Sequence, residues 1–174
     1  MKSLLISTLL VALFPTTYLS KVGVILSVEQ EAVSDEPEIT SFIRRVVQET
    51  GTRWGALRKK QIETPEQLEA EKPAAWHQCK INTLDETYQC VVGEFSTRAG
   101  AEAQYRRLAI LMVDAVAPEA RALGLNAHGW NFSYDDGANP YFEGRKGEIF
   151  MKVTAQMDLT GGVIRFEVHA NRRD

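Results

Sequence analysis

Two cysteines limit the fold of this chain more than any other feature. Cys79 and Cys90 are the only cysteines present. Each lies in a segment of alternating side chains, residues 76–82 and Thr87–Phe95, joined by Thr83-Leu84-Asp85-Glu86. Pairing Asn82 with Thr87 in an antiparallel hairpin puts Cys79 directly opposite Cys90. The same register sets Ile81 against Tyr88 and His77 against Val92, all on one mostly apolar face. Gln78, Lys80, Gln89 and Val91 take the other face. Directly opposed Cβ atoms lie about 4.5–5.5 Å apart, and a disulfide needs about 3.5–4.5 Å, so a small adjustment closes the bond. There is no Cys-x-x-Cys spacing and no helix start to acidify a thiol. The pair therefore reads as a structural staple.

The N-terminus agrees with an oxidising compartment. Met-Lys-Ser precedes an almost wholly apolar run from Leu4 to Phe14, followed by Pro15 and two threonines. A basic start, a short apolar stretch and a turn before small residues make a secretory signal. Residues 1–20 are read as that signal, 21–36 as a linker and 37–174 as one domain. Residues 3–28 also fit an uncleaved anchor interrupted by Lys21. An even cysteine count in an exported chain favours pairing. The expected location is periplasmic or extracellular.

The formal charge is −3, and loss of residues 1–20 would remove Lys2 and no acid. That balance argues against a nucleic-acid partner. The rest of the pattern predicts an α+β fold, an antiparallel sheet with helices on one face, in the order α-β-(short α)-β-β-α-β-β-β. Pro37 opens a first helix with the stripe Ile39, Phe42, Ile43, Val46 and Val47, stopped by Gly51. Residues 53–61 form a first strand with Trp54 and Leu57 as core candidates. Thr64-Pro65-Glu66-Gln67 matches a capping box and predicts a short helix to Ala70. A long helix runs from Ser96 or Thr97 to Val116, and Pro118 begins a further turn closed by Gly124. Alternation then marks Trp130, Phe132 and Tyr134, residues 141–143, residues 148–157 and residues 163–170. Turns are expected at Gly144-Arg145-Lys146-Gly147 and Gly161-Gly162. Each half reads as a helix followed by strands.

The best candidate binding surface is the polar face of the last hairpin, with Lys152, Arg165, Glu167 and His169. A His-Glu-Arg cluster can hold an anion or shuttle a proton. A solvated sheet face with cross-strand charge pairs explains the same residues. His77, His128 and His169 have no metal-ligand spacing, so no metal and no cofactor is expected. Asp135, Asp136 and Asn139 lack the calcium-loop pattern and read as a turn. Trp54, Trp76 and Trp130 read as core. Asn131-Phe132-Ser133 is a glycosylation sequon.

Cys79, Tyr88-Gln89-Cys90, the spacing Ala101…Tyr105…Leu108 and the final alternating strands resemble small exported bacterial α+β proteins. The resemblance spans roughly the last hundred residues and implies no activity or functional residue. The expectation is a non-enzymatic binding or inhibitor-like module, with a protein or glycan of the cell envelope as partner. The alternatives are a small hydrolase or isomerase using His169 and Glu167, or Asp135 and Asp136, and a membrane-anchored structural protein.

Overall fold

The computed structural model describes residues 35–62, 64–118 and 126–170. The export segment, the alternative anchor, most of the linker and the helical turn expected before Gly124 lie outside them. What is described is a mixed α+β fold of two helices and nine strands.

Helix α1 spans Glu36–Gln48. Pro37 lies in its first turn, where a missing N–H costs nothing, and Glu36 and Glu38 meet the positive end of its dipole. Ile39, Phe42, Ile43 and Val46 are buried as their spacing demands. Two short 3-10 turns follow, Glu49–Thr52 and Gly55–Leu57. Between them Arg53 and Trp54 adopt left-handed φ values of 51° and 56°, which is costly for side chains of that size. The indole of Trp54 compensates: it is fully buried and its Nε1 donates to the Val46 carbonyl at 2.8 Å.

Strands β1 (Arg58–Gln61), β2 (Gln67–Ala70), β3 (Gln78–Asn82) and β4 (Thr87–Phe95) make the first meander. Helix α2 (Arg98–Val116) comes next. The second meander is β5 (Asn126–Ala127), β6 (Trp130–Asp135), β7 (Tyr141–Lys146), β8 (Ile149–Met157) and β9 (Gly162–His169). All pairings are antiparallel. The sheet order is β1-β2-β3-β4-β9-β8-β7-β6-β5. Each half is thus a helix followed by a meander, and the last strands of the two halves meet at the centre.

The cysteine hairpin has the expected register, with Asn82 opposite Thr87, and Cys79 is bonded to Cys90. Cys79, Ile81, Tyr88 and Cys90 are buried. Helix α2 lies on β4, β8 and β9 and against α1. Thr97 caps it by accepting the Gly100 N–H at 3.1 Å. Phe42 meets Trp76 edge-on at 5.4 Å, and Trp54, Trp76 and Trp130 are all buried. Arg107 of α2 binds Asp35 at 2.5 Å and Glu36 at 3.2 Å, tying the start of α1 to its neighbour. Among the described residues no helix is long and apolar enough to cross a membrane.

Four local expectations are corrected. The short helix after Thr64 is instead a turn, with Gln67 N–H donating to the Thr64 carbonyl, followed by strand β2. So few residues before Lys72-Pro73 cannot offset the cost of helix nucleation, whereas β2 finds ladder partners on both sides. The first strand begins at Arg58, because Trp54 and Leu57, three residues apart, are buried by 3-10 turns. The turn expected at Gly144 is strand: β7 runs on to Lys146, and the two-residue turn is Gly147-Glu148, with Gly147 at φ 58°. Gly144 is glycine because a Cβ there would lie 2.7 Å from the Phe132 ring. The last hairpin closes through residues 158–161, organised by Asp158, which accepts the N–H groups of Thr160 and Gly161.

Candidate binding face

The helices cover one face of the sheet, and register places a polar grid on the other. One row across the strands reads Lys80, Gln89, Glu167, Lys152, Glu143 and Ser133. The row on one side reads Gln78, Val91, Arg165, Thr154 and Tyr141. The row on the other reads Asn82, Thr87, His169, Phe150, Arg145 and Asn131. The register of β4 against β9 shifts between Val91 and Gly93, so one residue is extra there. Such a bulge bends the strand and sharpens its twist.

The four residues singled out in the last hairpin share this face, and His169, Lys152 and Arg165 all help to hold the Glu167 carboxyl low, although each also has its own contact. Glu167 and His169 face each other at 3.6 Å, Oε2 to Nε2. At that distance the contact is an ion pair when the imidazole is protonated, and too long for a good hydrogen bond. It is still the first cause holding the Glu167 carboxyl below its ordinary range, opposed by burial. His169 Nδ1 lies 3.1 Å from the hydroxyl of Thr87, which also donates to the Asp85 carbonyl. Arg165 donates to Gln156 Oε1 at 2.8 Å. Lys152, directly across from Glu167, sets its ammonium 4.3 Å from the centre of the Tyr141 ring.

Phe150 also belongs to this face, yet it is only 2% exposed. Arg145 lies over its ring at 5.1 Å, and the His169 ring is 5.4 Å away. Its parity on β8 is the opposite of that of Met151 and Val153, so it reinforces the open face from outside the main core.

A recess of about 230 Å³ opens where β1–β4 meet β9. Ile62, Gln67, Gln78, Lys80, Gln89, Val91, Arg165 and Glu167 line it. It takes in two of the four expected residues, Arg165 and Glu167, and leaves out Lys152 and His169. Lys80 makes no ion pair or side-chain hydrogen bond among the described residues, and neither do the amides of Gln78 and Gln89. The amide oxygen of Gln67 is buried without a partner among them. An orphaned buried acceptor costs about 1–3 kcal/mol; Trp76 Nε1 and the Tyr105 hydroxyl are likewise buried without a partner among the described residues. Sequence reasoning placed Gln78, Lys80 and Gln89 on the outer face, but the strand carrying Gln67 was read as a helix, which hid the recess.

A second recess, about 780 Å³, lies at the ends of the helices between Arg44, Val47, Val116, Trp130 and Ile149. Pro118 and His128 flank it, and the residues between them have no described side chains, so no site is built there.

The remaining candidates are accounted for by local structure. His77 is exposed and lies just before β3, with Val92 buried at the bulge, so the two do not share the apolar face as expected. His128 sits in a two-residue turn with Gly129, both at positive φ. Asp135 accepts the Gly137 N–H at 2.8 Å and Asn139 the Met157 N–H at 3.2 Å, so both organise a turn. No group of three metal-ligating side chains occurs among the described residues. Asn131 stands exposed on β6. No protein family, no curated protein and no solved structure matches this chain.

Proposed function

We propose that this chain is an exported, non-enzymatic binding module that holds its partner on the open face of the sheet, in the recess between β1–β4 and β9. One observation carries the reading: polar groups without partners converge there, on strands pinned by the Cys79–Cys90 bond. Preorganised, unpaired donors and acceptors in a concavity are what a binding site requires. The buried disulfide and the apolar N-terminal segment support export to the periplasm or beyond, and an envelope partner follows from that location.

The hydrolase or isomerase alternative has weaker support. Both ring nitrogens of His169 already face protein groups, and the hydroxyl nearest to it belongs to Thr87, which is 1% exposed. A nucleophile so enclosed cannot meet a substrate. Asp135 ends β6 and Asp136 begins the turn after it, both exposed, and Asp135 is engaged by the Gly137 N–H.

Capture from an envelope fraction tests the reading. The processed protein is immobilised beside a Lys80→Ala/Arg165→Ala variant of unchanged thermal midpoint. A partner retained by the first and lost by the second is expected. Equal retention by both would remove the recess from the account.

A further inference from the structure

Resting on that reading, we infer that the recess takes the free carboxylate end of a peptide chain. Four observations converge on this chemistry.

The first is charge. Lys80 and Arg165 line the recess without an ion-pair partner among the described residues, and Glu167 adds one negative charge. Among the described lining residues the balance is one excess positive charge, suited to a monoanion; Glu69, directly across from Lys80, is paired with Lys60 at 3.6 Å. A dianionic phosphate would lie against Glu167 with only that excess to hold it. Arg165 Nη1 donates to Gln156, and the Nε–Nη2 side of the fork matches the two oxygens of a carboxylate; charge-assisted bonds of this kind are the strong ones.

The second is the amides. Gln78 and Gln89 each present a C=O and an NH2 on adjacent strands, the same donors and acceptors that a peptide backbone uses. The third is the orphan. The buried Oε1 of Gln67 has no donor among the described residues. A ligand N–H satisfies it, which a carboxylate alone does not.

The fourth is the apolar surface. Ile62 and Val91 give the terminal side chain a place to lie. Among the described residues no aromatic ring lines the recess, so none offers a flat face for a sugar ring. The volume, about 230 Å³, falls below the roughly 300–1,000 Å³ of a site for a whole small molecule. It is the size for the end of a chain.

The test is calorimetric titration of the processed protein with three probes: N-acetyl-alanyl-valine with a free carboxylate, the same dipeptide as its C-terminal amide, and inorganic phosphate. The acid is expected to bind, with the amide weaker by about tenfold or more, the usual value of a hydrogen bond to a charged group. Arg165→Gln should lose about tenfold, Lys80→Gln severalfold, and Arg98→Gln, on the helix-covered side, nothing. Three results overturn the inference: no binding of the acid at millimolar concentration, equal binding of acid and amide, or phosphate binding as tightly as the acid. If partner capture still fails with the Lys80→Ala/Arg165→Ala variant in that case, the recess remains the site and only its ligand class was wrong. If capture persists, both readings fall.

Discussion

Opening the Cys79–Cys90 bond should cost this fold about 3 kcal/mol. The two residues are eleven apart in sequence, so the bond closes a short loop in the unfolded chain. Loop-closure entropy for about a dozen residues gives close to 3 kcal/mol at 25 °C. The sulfurs are buried and sit directly across from each other on paired strands, so the folded hairpin needs no rearrangement to carry the bond. For a domain of this size, roughly 3 °C of melting temperature corresponds to 1 kcal/mol. A Cys79→Ala/Cys90→Ala variant should therefore melt about 10 °C lower than the oxidised protein. Cys→Ala also deletes two buried sulfurs and adds a cavity term, so the variant should melt at or somewhat below the reduced protein. Scanning calorimetry of the oxidised, reduced and double-alanine proteins gives the comparison, with thiol titration to certify each state. The reduced and variant proteins should agree within a few degrees. No shift on reduction would refute the reasoning, because the bond would then add no constraint that the unfolded hairpin lacks.

Other expectations follow from single contacts. A methyl group at Gly161 would lie 1.9 Å from the Phe95 carbonyl oxygen, so Gly161→Ala should cost about 1–3 kcal/mol or more by denaturant unfolding. Gly51→Ala meets nothing within 4 Å and should stay within about 0.5 kcal/mol. Thr97→Ala removes the acceptor for the Gly100 N–H and should cost about 1 kcal/mol, measured the same way. The Glu167 carboxyl is held low, first by His169. A depressed folded value means that its stabilisation is present above the unfolded value and fades as pH falls through the folded one. Glu167→Gln should therefore flatten the acid side of the melting-temperature profile and leave a smaller drop below about pH 4 than the parent shows.

Much of the fold was legible because it rests on local periodicity. The stripe from Ile39 to Val46 and the alternation in β8 and β9 each report burial one residue at a time; Met151, Val153, Ala155, Ile164, Phe166 and Val168 are buried, while Val47 and the strand-end residues Ile149 and Met157 are only partly so. The cysteine register was legible because side-chain parity and turn length leave one solution. What was lost depends on distant partners. Residues 67–70 carry a strong local helix signal at Thr64, and only pairing with β1 and β3 makes them strand. Gly144 looks like turn chemistry until the Phe132 ring on the next strand explains it. Phe150 alternates as an outward residue, and its burial beneath Arg145 and His169 has no local signature.

The candidate face was half visible for the same reason. Arg165 and Glu167 stood out by alternation on one strand, and Gln78, Lys80 and Gln89 were assigned to the outer face by the disulfide register. That these two sets meet follows from β4 pairing with β9, a contact between the ends of two meanders. The bulge at Val92 leaves no mark in the alternation that a reader would separate from noise. A solvated sheet face and a binding recess share the same residue types; the unpaired Lys80 and the buried Gln67 oxygen favour the second.

The central claim is that ligand binds between β1–β4 and β9. Backbone-amide shift mapping by NMR during titration with the acetylated dipeptide acid tests it most directly. The account expects shifts confined to Ile62, Gln67, Gln78, Lys80, Gln89, Val91, Arg165 and Glu167, saturating together. Shifts centred instead on Arg44, Val47, Trp130 and Ile149 would contradict it and move the site to the recess at the helix ends.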